Sequence, residues 1–139
     1  MRNQRRSAPL ETASIRTRDG RVLKIPTIEE MLRIKSFLAV ERNASRDYLD
    51  VAALSHHLGR KRSVLAIEKM RELYREFAGE VGDILISVVA RLAKPEPYDL
   101  TEVDLSEYKG IVAPWNDWRA VERQCRSLAT EMLKKAPET

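Results

Sequence analysis

In several stretches between Thr27 and Met132, apolar residues return every three or four positions. Trp118, Val121, Cys125, Leu128 and Met132 form one such series; Ile84, Leu85, Val88 and Leu92 another; Ile67, Met70, Tyr74 and Phe77 a third. Only a helix brings residues at this spacing to one side. The pattern breaks at Asn43-Ala44, and Gly59, Gly79, Pro95 and Pro97 are residues that end helices. The pattern predicts a mainly α fold of about five packed helices. At 139 residues the chain is one ordinary domain. With 43% hydrophobic and 33% charged residues it can build a real core, and aromatics at 6% argue against a β-sandwich.

Ahead of the helices, "SIRTRDGRVLKI" reads as a β-hairpin. Asp19-Gly20 is a preferred pair for a two-residue turn, where both positions need positive φ. In that register both faces mix apolar and charged side chains, so the hairpin has no clean buried face. Residues 1–12 read as a disordered basic arm, 13–136 as one helical domain with its N-terminal hairpin, and 137–139 as a tail. Thr27 followed by Glu30 predicts a capping box at the first helix. Arg46 to Leu58 should form the second helix, Ser63 should cap the third, and the fourth should run from Val81 to Ala93. "EPYDLTEVDLSEYKG" has no period and reads as an acidic loop.

Charge is the feature that needs explaining. Lys35 lies seven residues after Ile28 and three before Leu38, which puts it in the apolar stripe of the first helix; Arg42 is seven further on. A lysine there needs water or a carboxylate. The next helix offers Asp47 and Asp50, three apart on one face with Val51, Leu54 and Leu58. Antiparallel packing would gather Lys35, Arg42, Asp47 and Asp50. Two readings follow: an ion-pair network that fixes how two helices dock, or a site where the lysine meets a phosphate.

Other chemistry is constrained. Cys125 is the single cysteine, so intrachain disulfides and multi-cysteine metal sites are impossible, and its apolar face marks it as a small core residue. His56 and His57 point in different directions on a helix, with no ligand at metal spacing. Trp115 and Trp118 read as core aromatics rather than a base-stacking platform. No nucleophile motif, glycine-rich phosphate loop or zinc motif is present. A net charge of +4 allows a phosphate-bearing partner such as nucleic acid, through the arm or through Arg60, Lys61 and Arg62. No leader or membrane-spanning run stands out, so the expectation is a cytoplasmic protein without membrane contact.

The stretch "IPTIEEMLRIKSFLAVERNASRDYLDVAALSHHLG" resembles the C-terminal half of the AbiEii group of abortive-infection nucleotidyltransferase toxins. The shared pattern is a Pro-start helix, a lysine, an Arg, then Arg/Lys-Asp-x-x-Asp and a Leu, met by Lys35, Arg42, Arg46, Asp47, Asp50 and Leu54. The resemblance implies that Lys35 contacts phosphate and Asp47 takes part in activity, with Arg42, Arg46 and Asp50 supporting. The family's Gly-Ser and Asp-x-Asp elements, which hold Mg²⁺, are missing, and this chain has no Gly-Ser pair. The expectation is therefore a toxin-antitoxin type nucleotidyltransferase-like domain, inactive alone. It would need Mg²⁺ and a nucleoside triphosphate only if a catalytic partner chain completed it, and a homodimer could cover its bare surfaces. The competing expectation is a non-enzymatic module that binds nucleic acid or protein.

Overall fold

The computed structural model describes residues 9–77, 79, 82–100 and 110–134. Strands β1 (Thr12–Arg16) and β2 (Val22–Pro26) precede α1 (Ile28–Glu41), α2 (Ser45–Leu58), α3 (Arg60–Glu68), the single turn α4 (Met70–Leu73), α5 (Ile84–Ala93) and α6 (Trp118–Lys134). The fold is mainly α with an N-terminal hairpin, as the periodicity predicts. α1 packs on α2, α3 and α5, and α6 closes the bundle against α2, α3 and α5. The predicted inner residues Ile67, Met70, Tyr74, Phe77, Val88, Leu92, Val121, Cys125, Leu128 and Met132 are all buried in one core. Phe37 stacks on Tyr74 at 4.8 Å and meets Phe77 edge-on at 5.9 Å, while Trp118 packs edge-on against Tyr48.

The stripe on α1 is rotated from the expected one. Of Ile28, Met31, Leu32, Leu38 and Ala39, the apolar residues expected inside, Leu32 and Ala39 are buried and Leu38 half-buried, but Ile28 and Met31 are 37% and 38% exposed, and Arg33 and Glu30 are enclosed beside Ser36 and Phe37. Arg33 Nε donates to Glu30 Oε1 at 2.9 Å, Nη1 to the Ala66 carbonyl at 3.1 Å and Nη2 to Glu11 Oε1 at 2.9 Å. A buried guanidinium is tolerated because each face of its fork finds an acceptor. Only half of the capping box forms. The Glu30 N–H donates to Thr27 Oγ1 at 3.1 Å, but the Glu30 carboxylate is taken by Arg33 and the Thr27 N–H goes to the Glu11 carbonyl. Glu11 and Thr12 thus belong to the folded domain, not to an arm; residues 1–8 and 135–139 lie outside the described residues.

The hairpin turn is longer than two residues. Ile15 faces Leu23 and Arg16 faces Val22, leaving residues 17–21 between the strands, with Gly20 at φ 89. Compared with a two-residue turn the register slips by one, and such a slip moves one strand's side chains to the opposite face. Ala13, Ile15, Leu23 and Ile25 consequently share one apolar face, and Thr12, Ser14, Arg16, Val22 and Lys24 share the other. Neither is covered: every strand residue but Pro26 is exposed.

Gly59, at φ 88, ends α2 and starts α3 at Arg60. Ser63 is therefore inside α3 rather than its cap, and its buried hydroxyl donates to the Ser55 carbonyl at 3.1 Å. Asp83 caps α5 by accepting from the Ile86 N–H at 3.0 Å, so this helix starts after the expected Val81, which itself lies outside the described residues.

The α1–α2 corner is held from a distance. Asn43 adopts φ 53, its side-chain amide donates to the Glu96 carbonyl at 3.0 Å, and its own carbonyl accepts from the Tyr98 N–H at 3.0 Å. Ala44, the α2 N-cap, has no side-chain oxygen to offer. Asp99 replaces it: its Oδ1 accepts from both the Ser45 N–H and the Ser45 hydroxyl at 2.8 Å. Asp99→Ala should destabilise the domain by about 1–2 kcal/mol, the cost of a lost cap, read as a lower urea midpoint with an unchanged slope.

Several carboxylates on the bundle surface are held below their ordinary pKa. For Glu11 the main cause is the bond from Thr27, with Arg33 adding to it, and for Glu29 it is the bond from Arg62. Burial alone would raise Asp83, but bonds from Arg71 and the Ile86 N–H outweigh it. A carboxylate depressed in the folded state stabilises above its unfolded pKa and loses that contribution as pH falls through the folded value. The urea midpoint should therefore decline as pH drops below the ordinary values of 4.5 for Glu and 3.8 for Asp. Asp83→Asn should flatten that decline.

Candidate functional site

The predicted charged residues do meet, across the α1–α2 junction. Arg42 follows α1 as its C-cap, and Asp47 lies in the first turn of α2, where a carboxylate is favoured by the helix dipole. Arg42 grips Asp47 with two bonds, Nη2 to Oδ1 at 2.5 Å and Nε to Oδ2 at 3.2 Å. The Asp47 side chain is wholly buried while that of Arg42 is 52% exposed. The fork-to-fork geometry holds Arg42 more firmly charged, chiefly through the bond to Asp47.

One turn further along α2, Asp50 accepts Lys35 Nζ at 3.1 Å and Arg46 Nε at 3.3 Å. Lys35 sits on the flank of α1, not in the middle of its buried face, and its ammonium is partly open to water. The expected cost of a lysine in an apolar stripe is thus never incurred, because the stripe itself is rotated toward Arg33.

The arrangement decides what these groups can do. Both Asp47 oxygens are occupied by Arg42 and the side chain is enclosed, so it has no ligand atom to offer Mg²⁺. Lys35 is neutralised by the same carboxylate that holds Arg46. Among the described residues no group of three or more His, Cys, Asp and Glu side chains could hold a metal ion. His56 and His57 are exposed; His56 stands edge-on to Trp115 at 5.5 Å. Cys125 is buried, its thiol pushed up by burial, which makes it a core residue and a poor nucleophile. Burial also pushes the Tyr48 phenol up to about 12, and its hydroxyl donates to Asn43.

An open cleft of about 530 Å³ lies elsewhere, lined by Leu85, Ile86, Val89, Ala90, Met132 and Leu133 with Glu68 and Arg71. None of the five charged residues of the α1–α2 junction reaches it. Two polar residues that organise the fold, Arg33 and Asp99, escape the sequence pattern, and Glu30 is placed by it only as a cap partner, not as the buried partner of Arg33. Arg33 is four before Phe37, the one phase signal that could have placed it inside.

Comparison with known proteins points away from nucleotide transfer. The chain is 35% identical over 132 residues to the heme uptake protein MmpL11 of Mycobacterium tuberculosis. It is 32% identical over 134 residues to the probable transport protein MmpL11 of Mycobacterium leprae. It is 30% identical over 131 residues to the mycolic acid-containing lipids exporter MmpL11 of Mycolicibacterium smegmatis. These alignments cover 94–96% of this chain but 13% of each relative. No family model and no solved structure matches.

The expectation of a nucleotidyltransferase-like domain of the AbiEii toxin-antitoxin type is thereby overturned, since proteins similar along nearly the whole chain are transport proteins. The physical reason is visible in the junction. Opposite charges placed on two helices that pack together, Lys35 and Arg42 against Asp50 and Asp47, are what a docked helix pair needs to neutralise its contact. The Lys-Arg-Arg-Asp-Asp spacing satisfies that need and does not by itself encode phosphate chemistry.

Removing Arg42 should expose the difference between the two pairs. Arg42→Ala leaves the enclosed Asp47 carboxylate unmatched and should cost about 1–3 kcal/mol. Asp50→Ala breaks only partly exposed pairs and should cost under about 1 kcal/mol. Urea unfolding of the two variants measures both.

Proposed function

We propose that the chain is a non-catalytic helical module associated with a transporter of the MmpL11 type. The observation that carries this reading is similarity along 94–96% of the chain to one segment of much longer transport proteins. The fold supports it in two ways. No helix among the described residues is long and apolar enough to cross a membrane, so the module is read as a part that folds beside the bilayer. The charged side chains of the α1–α2 junction are spent on one another and hold two helices in register, which suits a rigid docking body better than a reacting centre.

We place the module on the cytoplasmic side. The supporting feature is its net charge of +4, because anionic lipids give that leaflet a negative surface potential. Its role there is to support the movement of the transporter's cargo, the relatives' names pointing to haem or to mycolic acid-containing lipids.

A chimera tests the reading. The matching segment of the Mycolicibacterium smegmatis protein is replaced by this chain, and export of mycolic acid-containing lipids is compared with that of a deletion of the segment. Restored export is the expected result. Export no better than the deletion, with the chimera present at normal levels, would sink the proposal.

A further inference from the structure

We infer that the hairpin 12–26 is an anchor for an anionic lipid surface, with an apolar face that enters the bilayer interface and basic side chains that meet lipid phosphates. The inference stands on the hairpin alone and not on any likeness to transporters.

The first observation is the one-sided face. The register aligns Ala13, Ile15, Leu23 and Ile25 on one side of a two-stranded ribbon. Ile15 is 43% exposed, Leu23 44% and Ile25 41%. Soluble chains seldom leave a β-branched and leucine face open without use. Ile28 and Met31, in the first turn of α1 just after the hairpin, are exposed as well.

The second observation is charge. The strands and their turn carry Arg16, Arg18, Arg21 and Lys24 against the single acid Asp19. Asp19 is engaged by Arg21 at 3.1 Å, an exposed pair that water or a phosphate can replace at little cost. Arg16 and Lys24 project from the face opposite the apolar one. When an amphipathic element settles into a membrane interface, its apolar side turns to the acyl chains and its basic side reaches headgroup height, the arrangement known from interfacial helices. The same separation is present here on a strand pair. A second copy of the chain is a poorer occupant, because its hairpin brings the same positive excess to the contact.

The third observation is mechanical. The hairpin is tethered to the bundle at its base, where Glu11 joins Thr27 and Arg33, and the tip is free of the helices. A ribbon held at one end can lie on a surface without disturbing the core.

The experiment is flotation of the full chain with vesicles of phosphatidylcholine alone or mixed with phosphatidylglycerol, at low and high salt. Binding to the phosphatidylglycerol vesicles, weakened by salt, is expected. Arg16→Glu with Lys24→Glu should weaken it by roughly tenfold or more, as expected for charges placed near the headgroups. Ile15→Ser, Leu23→Ser and Ile25→Ser together should weaken it as strongly while the helical signal and melting temperature stay put, and Ile15→Leu with Ile25→Leu should retain it. No binding by the parent chain overturns the inference. So does unchanged binding by the serine variant, which would reduce the effect to net charge. Self-association of the parent chain that the serine variant abolishes would assign the face to a second copy and overturn it equally.

Discussion

A fully enclosed carboxylate has to be answered, and Arg42 answers Asp47. That bidentate pair sits where α1 ends and α2 begins, and it dictates the corner between them. An unmatched buried charge is among the costliest features a small domain can carry. The chain must therefore turn so that Arg42 arrives within reach five residues before Asp47, which Asn43 permits by taking a positive φ. The corner is then fastened by the segment after α5, whose backbone meets Asn43 and whose Asp99 caps α2. The corner of two consecutive helices is thus fixed, by one small polar assembly, to a segment some fifty residues later. Asp50, Lys35 and Arg46 extend it along the surface, where water shares the work and each contact stabilises less.

A second polar assembly, around Arg33, plays the matching role at the other end of α1. It links Glu30, the Ala66 carbonyl on α3 and Glu11 before β1. Through Glu11 it ties the hairpin base to the bundle while leaving the strands uncovered. The rigid interior and the exposed ribbon are therefore consequences of the same interactions, and the surface most available to a partner is the one that the core declines to bury.

The helical layout was legible because apolar spacing is a local property. Ile84 to Leu92 and Trp118 to Met132 each carry their own period and need no partner to be recognised, whereas Ile67 to Phe77, which reads as one helix up to Gly79, is split into α3 and the single turn α4, with Tyr74 and Phe77 beyond both. The α1–α2 charge pairing was legible because consecutive helices joined by a short corner pack antiparallel, which brings Lys35 to Asp50 and Arg42 to Asp47. The stripe of α1 was misread because Glu30 and Arg33 look like solvent residues, and only their mutual bond lets them be interior. The hairpin register was misread because Asp19-Gly20 is compatible with more than one turn length, and the choice decides which side chains share a face. The chemistry suggested by Lys35 and Asp47 fell for a different reason: a motif of charges states which residues can pair, not what else they bind.

By itself the sequence determined a mainly α domain, a hairpin ahead of it, a buried cysteine and a charged helix corner, because spacing, breakers and residue type act over a few neighbouring positions. Tertiary structure alone decided that Arg33 would be interior, that Asp99 would cap a helix some fifty residues before it, and that the apolar side chains of the ribbon would stay open to solvent. Each of those depends on which distant groups arrive beside a given side chain. A local pattern cannot specify that, because the stabilisation of a buried charge, a remote cap or an uncovered face exists only once the whole chain has packed.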